Sequence, residues 1–310
     1  MLVLTEADVA RLLDPDALFD ALRHAFTAIS DGTASVPPRV AAVTGAGLLG
    51  AMPGFVPGLG LGAKLVAYYR DNHRHGMPGH QAVIVMFDPD DGRPLALMDG
   101  THITAIRTAT AAAVAAQALA RSDATRVAVA GTGVQGRAHI EAFGRAFPSA
   151  SLRLTGRTPE HVHAVAAAYS NVQVADSVEA AVRWADVVCL CTEADEPVIA
   201  RSWLAAGAHV SSVGSGVEVD AETLGAATVF VEARGNATQP FPAGSRELAG
   251  RDPASVTEVG EVLLGVRPGR QRPEELTVYK SMGHASQDVA AAALVYQAAM
   301  HSGAGTTVAL

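Results

Sequence analysis

The stretch Arg126-Val-Ala-Val-Ala-Gly131-Thr-Gly133-Val-Gln-Gly136-Arg-Ala-His139 decides the fold. Val127 to Ala130 is an apolar run of the kind buried on both faces of a parallel sheet. The glycines follow at once in G-x-G-x-x-G spacing, and Ile140 and Phe143 then begin a helical apolar period. Gly131 suits the tight turn from strand to helix, Gly133 lets a pyrophosphate approach the backbone, and Gly136 lets helix and strand pack closely. The unpaired N–H groups of that helix's first turn then face the phosphates. A second apolar strand at Leu152–Thr155 supplies the strand–helix–strand context that a glycine-rich turn alone lacks. The stretch therefore predicts a dinucleotide site, with Gly131, Gly133, Val134, Gln135 and Gly136 against the cofactor.

Downstream, strand-like runs near 152–155, 171–174, 186–191, 208–212 and 227–231 alternate with helical segments. That alternation predicts an α/β, Rossmann-type doubly wound parallel sheet. Upstream the period differs. Thr5-Glu-Ala-Asp8 is a capping-box-like helix start, and Asp14-Pro15-Asp16 opens a second helix that Gly32 stops. Short β-like segments at 40–43, 48–52, 63–69, 82–87 and 95–98 are separated by Gly, Pro and Asp clusters, and Asp88-Pro-Asp-Asp-Gly92 is a hairpin turn by its chemistry. These predict a mostly antiparallel sheet with helices. Thr101 to Ala120 reads as one Ala- and Thr-rich helix whose interior charge is Arg107. Residues 235–275 read as polar and loop-rich, with a helix around 259–264; a strand at 276–280 and a helix from His284 to Met300 follow. The final helix is expected to pack back on the first domain. Residues 1–121 with 282–310 would then form a discontinuous α+β domain, and 122–281 the dinucleotide-binding domain.

A chain of 310 residues is long for one hydrophobic core, which favours two domains. With 49% hydrophobic and 17% charged residues the composition is that of a well-buried enzyme rather than a disordered chain. A net charge of −8 argues against nucleic acid or an anionic membrane as partner. No apolar run reaches about 18 residues and no basic-then-apolar leader is present, so the expected location is the cytoplasm. The two cysteines, Cys189 and Cys191, share one apolar run and read as buried free thiols.

Among residues able to carry chemistry, Arg107 sits between Thr104 and Thr108 in an otherwise small and apolar helix. A guanidinium there either forms a structural salt bridge or captures a substrate carboxylate with its bidentate fork. Lys64, in the strand Ala63–Tyr69, and Arg39, after Pro37-Pro38, read either as exposed positions or as parts of a site. Beyond the second nucleotide-domain strand comes Thr155-Gly-Arg157-Thr158, with no carboxylate before Glu160. An arginine here suits the 2′-phosphate of NADP, where an acidic residue would suit NAD; NADP is the favoured cofactor and NAD the alternative. The histidines show no ligand-like spacing and no metal site is expected; Gly214-Ser-Gly216 lacks the second glycine of a nucleophile elbow.

Several stretches together resemble the ornithine cyclodeaminase/mu-crystallin family of NAD(P)-dependent enzymes. They are Lys64 with Asn72, the run Leu97 to Ala109 with its Thr-x-x-Arg-Thr, the glycine fingerprint, Asp186 to Thr192, Val213-Gly-Ser215, and Lys280-Ser-Met-Gly283-His-Ala-Ser-Gln-Asp288-Val-Ala290. The resemblance spans nearly the whole chain. It implies that 1–121 with 282–310 is a substrate-binding and dimerisation domain, with a homodimer formed through the sheets of these domains. It also implies that Arg39, Lys64 and Arg107 meet the carboxylate of an α-amino or α-imino acid, with Met52 on the pocket wall and Asp288 near the same cleft. Lys64, Arg107 and Asp288 are the catalytic candidates, and Thr108, Arg157, Thr158, Thr192, Val213, Gly214 and Gly283 join the fingerprint residues at the cofactor.

Two departures matter. The family's glutamate two residues before Met-Pro is here Gly50, before Met52-Pro53, and its catalytic aspartate two residues after the Val-Gly glycine is here Gly216. Glu218 is the neighbouring carboxylate that could substitute. Together these imply a reductase of a cyclic ketimine such as pyrroline- or piperideine-2-carboxylate. The alternatives are an amino-acid cyclodeaminase with recycled NAD and a non-catalytic ligand-binding protein.

Overall fold

Capping chemistry sets the first two helices where the sequence predicts them. Thr5 and Asp8 exchange backbone and side-chain hydrogen bonds in a capping box, and the Asp14 carboxylate accepts from the Asp16 and Ala17 N–H groups. The computed structural model describes residues 1–309, apart from the side chain of His73. In chain order its early elements are β1 (Leu2–Leu4), α1 (Glu6–Leu12), α2 (Pro15–Ser30), β2 (Val40–Val43), β3 (Leu48–Val56), β4 (Gly60–Tyr68), β5 (His80–Phe87), β6 (Pro94–Asp99) and α3 (Thr101–Leu119). There follow β7 (Arg126–Ala130), α4 (Val134–Ala146), β8 (Ser151–Thr155), α5 (Pro159–Ala166), β9 (Val172–Val174), α6 (Val178–Trp184) and β10 (Val187–Leu190). The last are β11 (His209–Ser212), α7 (Ala221–Ala226), β12 (Thr228–Val231), α8 (Arg234–Ala237), β13 (Thr257–Glu258), α9 (Val259–Leu263), β14 (Thr277–Lys280), α10 (Ala285–Ser302) and β15 (Thr306–Thr307).

The chain divides into two compact units, Met1–Arg107 with His284–Leu310, and Thr108–Gly283. The first holds a seven-stranded sheet in the order β15-β1-β6-β5-β4-β3-β2. Strands β2 to β6 run antiparallel, as their alternation predicts, whereas β1 lies parallel to β6. The three-residue β1 and two-residue β15 are too short to carry a readable period, so the sequence pattern does not reveal them. Residues two apart line one face of a strand, and on the buried face Met52, Lys64, Ile84 and Met98 are successive cross-strand neighbours. Lys64 is thus a cation set into an apolar row. Helix α10 packs against β3, β4, β5 and α2. Its Ala290, Ala291 and Ala292 are wholly buried and allow close approach to the sheet. The opposite face of the sheet exposes Leu49, Leu65 and Val83.

The second unit holds eight parallel strands in the order β13-β12-β14-β11-β10-β7-β8-β9. From β9 through β7 to β11 this is the doubly wound order, with the reversal of direction between β7 and β10. Val127, Val129, Val188, Leu190, Val210 and Val278 are at most 1% exposed, which fits strands covered on both faces. Burial of each such side chain contributes roughly 1.5–3 kcal/mol. The insertion of β14 between β11 and β12 is a long-range pairing that local periodicity does not reveal. Cys189 is buried and Cys191 half-buried, and neither forms a disulfide.

Candidate functional site

In the second unit the candidate cofactor residues collect where parallel strands end. Gly131 follows β7, Arg157 follows β8, Thr192 follows β10, and Val213 and Gly214 follow β11. Ligands of doubly wound sheets bind beyond the carboxyl ends of the strands, beside the point where strand order reverses. The local geometry fits a pyrophosphate cradle. Gly131 has φ +132°, and a Cβ there would collide with the Cys191 carbonyl oxygen. A Cβ at Gly136 would run into the Gly131 carbonyl oxygen, so the helix sits that close only because the residue is glycine. Gly133 is the N-cap of α4 and offers no side chain to the helix's first N–H groups, which leaves them for an anion. The space around the Gly133 Cβ position is open, and Val134 is 66% exposed beside it. The backbone carbonyl oxygen of Gln135 lies 2.8 Å from Nδ1 of the buried His139 ring. That ring stacks on Phe143, and burial lowers its pKa to about 4, so it is a neutral core residue.

Arg157 is exposed, and Thr158 is the N-cap of α5 with no capping bond from its side chain. Thr108 and Gly283 stand at the two ends of the unit, Thr108 nearly buried and Gly283 with φ +69° just before α10. Thr192 and Gly214 are joined by Glu218. The Glu218 carboxylate accepts from Thr192 N and Oγ1, both at 2.7 Å, from Ser212 Oγ at 2.6 Å and from Gly214 N at 2.8 Å. Four donors take up the lone pairs of both oxygens. Glu218 is wholly buried within this unit and has no acceptor left for a substrate amine.

In the first unit Lys64, Arg107 and Asp288 form one buried cluster. Lys64 Nζ lies 3.0 Å from Asp288 Oδ1 and 2.9 Å from Oδ2, and it donates to Thr104 Oγ1 at 3.4 Å. Arg107 Nε donates to Asp288 Oδ1 at 2.9 Å, and Nη1 to Gln287 Oε1 at 2.6 Å. The three charged side chains are 1–4% exposed. Burial, then the Arg107 charge, lowers the Lys64 pKa to about 7; Asp288 opposes the shift and Arg39 adds to it. The cations in reach of Lys64 therefore outnumber the one carboxylate. Arg39 precedes β2, and its Cδ lies 3.4 Å from where a Gly50 Cβ would stand. Met52, across from Lys64 in register, is 4% exposed and clusters with Val66, Ala82 and Ala285.

Arg107 thus makes the structural ion pair of its two alternative readings, with Nη2 left over. Gln287 and Thr104 hold these cations in place; both lie in stretches that carry the family resemblance, though neither is singled out there as a site residue. At Gly216 a Cβ would collide with the Ala194 carbonyl oxygen, to which Val217 N donates at 2.7 Å. The loop is packed so that no side chain fits there. Among the described residues no group of His, Cys, Asp and Glu could hold a metal ion, and no helix is long and apolar enough to cross a membrane.

The family model for ornithine cyclodeaminase/mu-crystallin proteins matches residues 1–303. The ketimine reductase mu-crystallin of the mouse, Mus musculus, is 37% identical over 256 residues, covering 81% of this chain and 80% of its own. The Δ1-pyrroline-2-carboxylate reductase of Thermococcus litoralis, solved with NADH and L-proline, superposes with a TM-score of 0.92 at 29% identity, covering 99% of this chain and 100% of that one. An archaeal alanine dehydrogenase dimer with bound NAD gives a TM-score of 0.92 at 30% identity, over 100% of this chain and 99% of that one.

Proposed function

Because the chain belongs to the ornithine cyclodeaminase/mu-crystallin family, we propose that it is a nicotinamide-dependent reductase of a small cyclic ketimine carboxylate. The observation that carries this reading is the buried cluster in which Lys64 and Arg107 share Asp288. Its excess of positive charge calls for an anionic ligand, because an unbalanced buried cation is costly. The substrate's carboxylate would supply that charge at Arg107 Nη2 and at Arg39. When bound, the dinucleotide supplies the hydride that turns the imine carbon into a C–H. Lys64 in its ammonium form holds the proton that the imine nitrogen needs to become an amine, and a pKa near neutrality suits the transfer. Asp288 keeps the amine aimed, and Met52 and its apolar neighbours take the ring carbons.

We read the cofactor as NADPH in preference to NADH, from the exposed Arg157 and the absence of a carboxylate between Thr155 and Glu160. We also infer a homodimer through the outer face of the first unit's sheet. There Leu65 lies between Ala51 and Val83 in register, and Leu49, Leu65 and Val83 are 40–49% exposed.

The cyclodeaminase alternative needs carboxylates to hold a distal amine and move protons. Gly50 and Gly216 have none, and the Glu218 oxygens are fully bonded elsewhere. A non-catalytic carrier would not need a lysine poised near neutrality. The test is incubation with NADPH and either pyrroline-2-carboxylate or piperideine-2-carboxylate. Stoichiometric cofactor oxidation with formation of the cyclic amino acid is expected. Binding without turnover of any cyclic ketimine would leave the carrier reading in its place.

A further inference from the structure

The second unit contains a buried charged assembly that the proposed chemistry does not use. Besides its four donors, Glu218 is anchored through its backbone: Glu218 N and Val219 N donate to Glu247 Oε1 at 2.8 and 2.9 Å. Glu247 forms an ion pair with Lys280, whose Nζ also donates to Ser212 Oγ and to the Gly214 carbonyl oxygen, each at 2.9 Å. Glu218 and Lys280 are wholly buried, and Lys280 ends β14, the neighbour of β11. Two acids and one lysine in a protein interior are expensive to desolvate, and apolar residues of similar size would hold a loop more cheaply. An arrangement that gives both carboxylates and the ammonium several hydrogen bonds each therefore points to a demand for exact backbone placement.

The atoms so placed are specific. One Glu218 oxygen takes the N–H and hydroxyl of Thr192 beyond β10; the other takes the Gly214 N–H and the Ser212 hydroxyl at the end of β11. Lys280 donates to the carbonyl of the same Gly214, so both peptide groups flanking its Cα are held. Strands β10 and β11 lie on the far side of the reversal from β8, the half of a doubly wound sheet away from the adenosine. We infer that Glu218 is a positioning residue: it ties the loops after β10 and β11 into one rigid ledge for the nicotinamide ring of the dinucleotide, with Lys280 and Glu247 holding it in register. The inference rests on the dinucleotide reading above. It gives Glu218 a role through Thr192 and Gly214, without contact with the substrate.

The test uses the full-length protein and titrates NADPH and NADH by fluorescence without substrate, then measures the KM for pyrroline-2-carboxylate at saturating cofactor. Glu218→Gln keeps the shape but turns an amide NH2 toward two existing donors. It is expected to weaken both dinucleotides on the order of tenfold, with the imino-acid KM within about twofold of wild type. ADP-ribose lacks the nicotinamide ring, so its affinity is expected to stay unchanged. Ser212→Ala removes one link on each side of the network and serves if Glu218→Gln does not fold; it is expected to weaken the dinucleotides about threefold with the same ADP-ribose result. A folded variant with lower thermal stability but wild-type dinucleotide affinity would make the network purely structural, and equal losses for ADP-ribose and NADH would also overturn the ledge. Failure of the wild type to bind any dinucleotide would instead remove the reading on which the inference stands.

Discussion

Lys64 on β4 and Asp288 on α10 stand 224 residues apart in the chain, yet the amine lies 3.0 Å from one carboxylate oxygen and 2.9 Å from the other. Even so, the lysine's pKa falls to about 7, because burial and the charges of Arg107 and Arg39 outweigh that single partner. As pH rises through that value the ammonium is lost, and with it the proton for the imine. The expected kcat/KM for ketimine reduction therefore falls above about pH 7, approaching tenfold per pH unit. Lys64→Met should be slow and lack this limb. A wild-type profile with no fall up to about pH 9 would take the proton donor's role from Lys64.

Arg107→Lys keeps a charge but loses the planar fork that serves Asp288 and Gln287 together. The expected cost in kcat/KM is about 1.5–3 kcal/mol, most of it in KM for the imino acid. If the folded variant keeps wild-type kinetics, Arg107 is a strut between α3 and α10 and no more.

Arg157→Ala separates the two cofactors. Loss of an exposed, charge-assisted phosphate contact should weaken NADPH roughly tenfold and leave NADH nearly unchanged. Titration of both with one protein preparation measures this. Equal losses would put Arg157 in the fold or at the shared pyrophosphate.

Ornithine and lysine should release no ammonia with this protein, in the presence or absence of NAD. Their distal ammonium would enter a cluster where cations already outnumber Asp288, and no carboxylate stands at Gly50 or Gly216. An ammonia assay decides it. Steady release without net change in cofactor would sink the reductase reading.

Leu65→Arg sets a charge at the centre of the exposed apolar face of the first sheet, between Ala51 and Val83. Analytical ultracentrifugation should find a dimer for the wild type and a monomer for the variant, since a buried unpaired guanidinium costs several kcal/mol. An unchanged dimer would move the interface to another surface.

The dinucleotide-binding half was legible in residues because its signals are local. An apolar strand, three spaced glycines and a helical period all fall between Arg126 and Phe143, and those residues form β7, the turn after it and most of α4. The first unit was legible only in part. Alternation located β2 to β6, but β1 and β15 are too short for any period, and β1 adds a parallel pairing with β6 to the antiparallel sheet. Charge partners were the hardest to foresee. Lys64 alone reads equally as a solvated strand position or a buried one, and only the packing of α10 decides between them. Glu218 stands near the vacant aspartate position in sequence, which suggested a catalytic substitute; the side chain instead turns inward to Thr192 and Gly214. Glu247 lies in a loop-rich stretch whose pattern predicts nothing about it.

The discontinuity of the first unit also bears on how the protein is made. A ribosome exposes β1 to β6 and the Lys64 amine long before it reaches residue 284, whereas Thr108–Gly283 emerges as one uninterrupted stretch. Until α10 arrives, Lys64 and Arg107 have no Asp288, and the apolar row around them has no helix to cover it. The nascent chain thus carries an unfinished sheet, with Lys64 in its apolar face and Arg107 on the helix that follows, through most of its synthesis. Those charges oppose burial of that face against any wrong partner, because each would be desolvated without compensation. The same residues that call for an anionic ligand in the finished protein would then act, during translation, as guards against premature association.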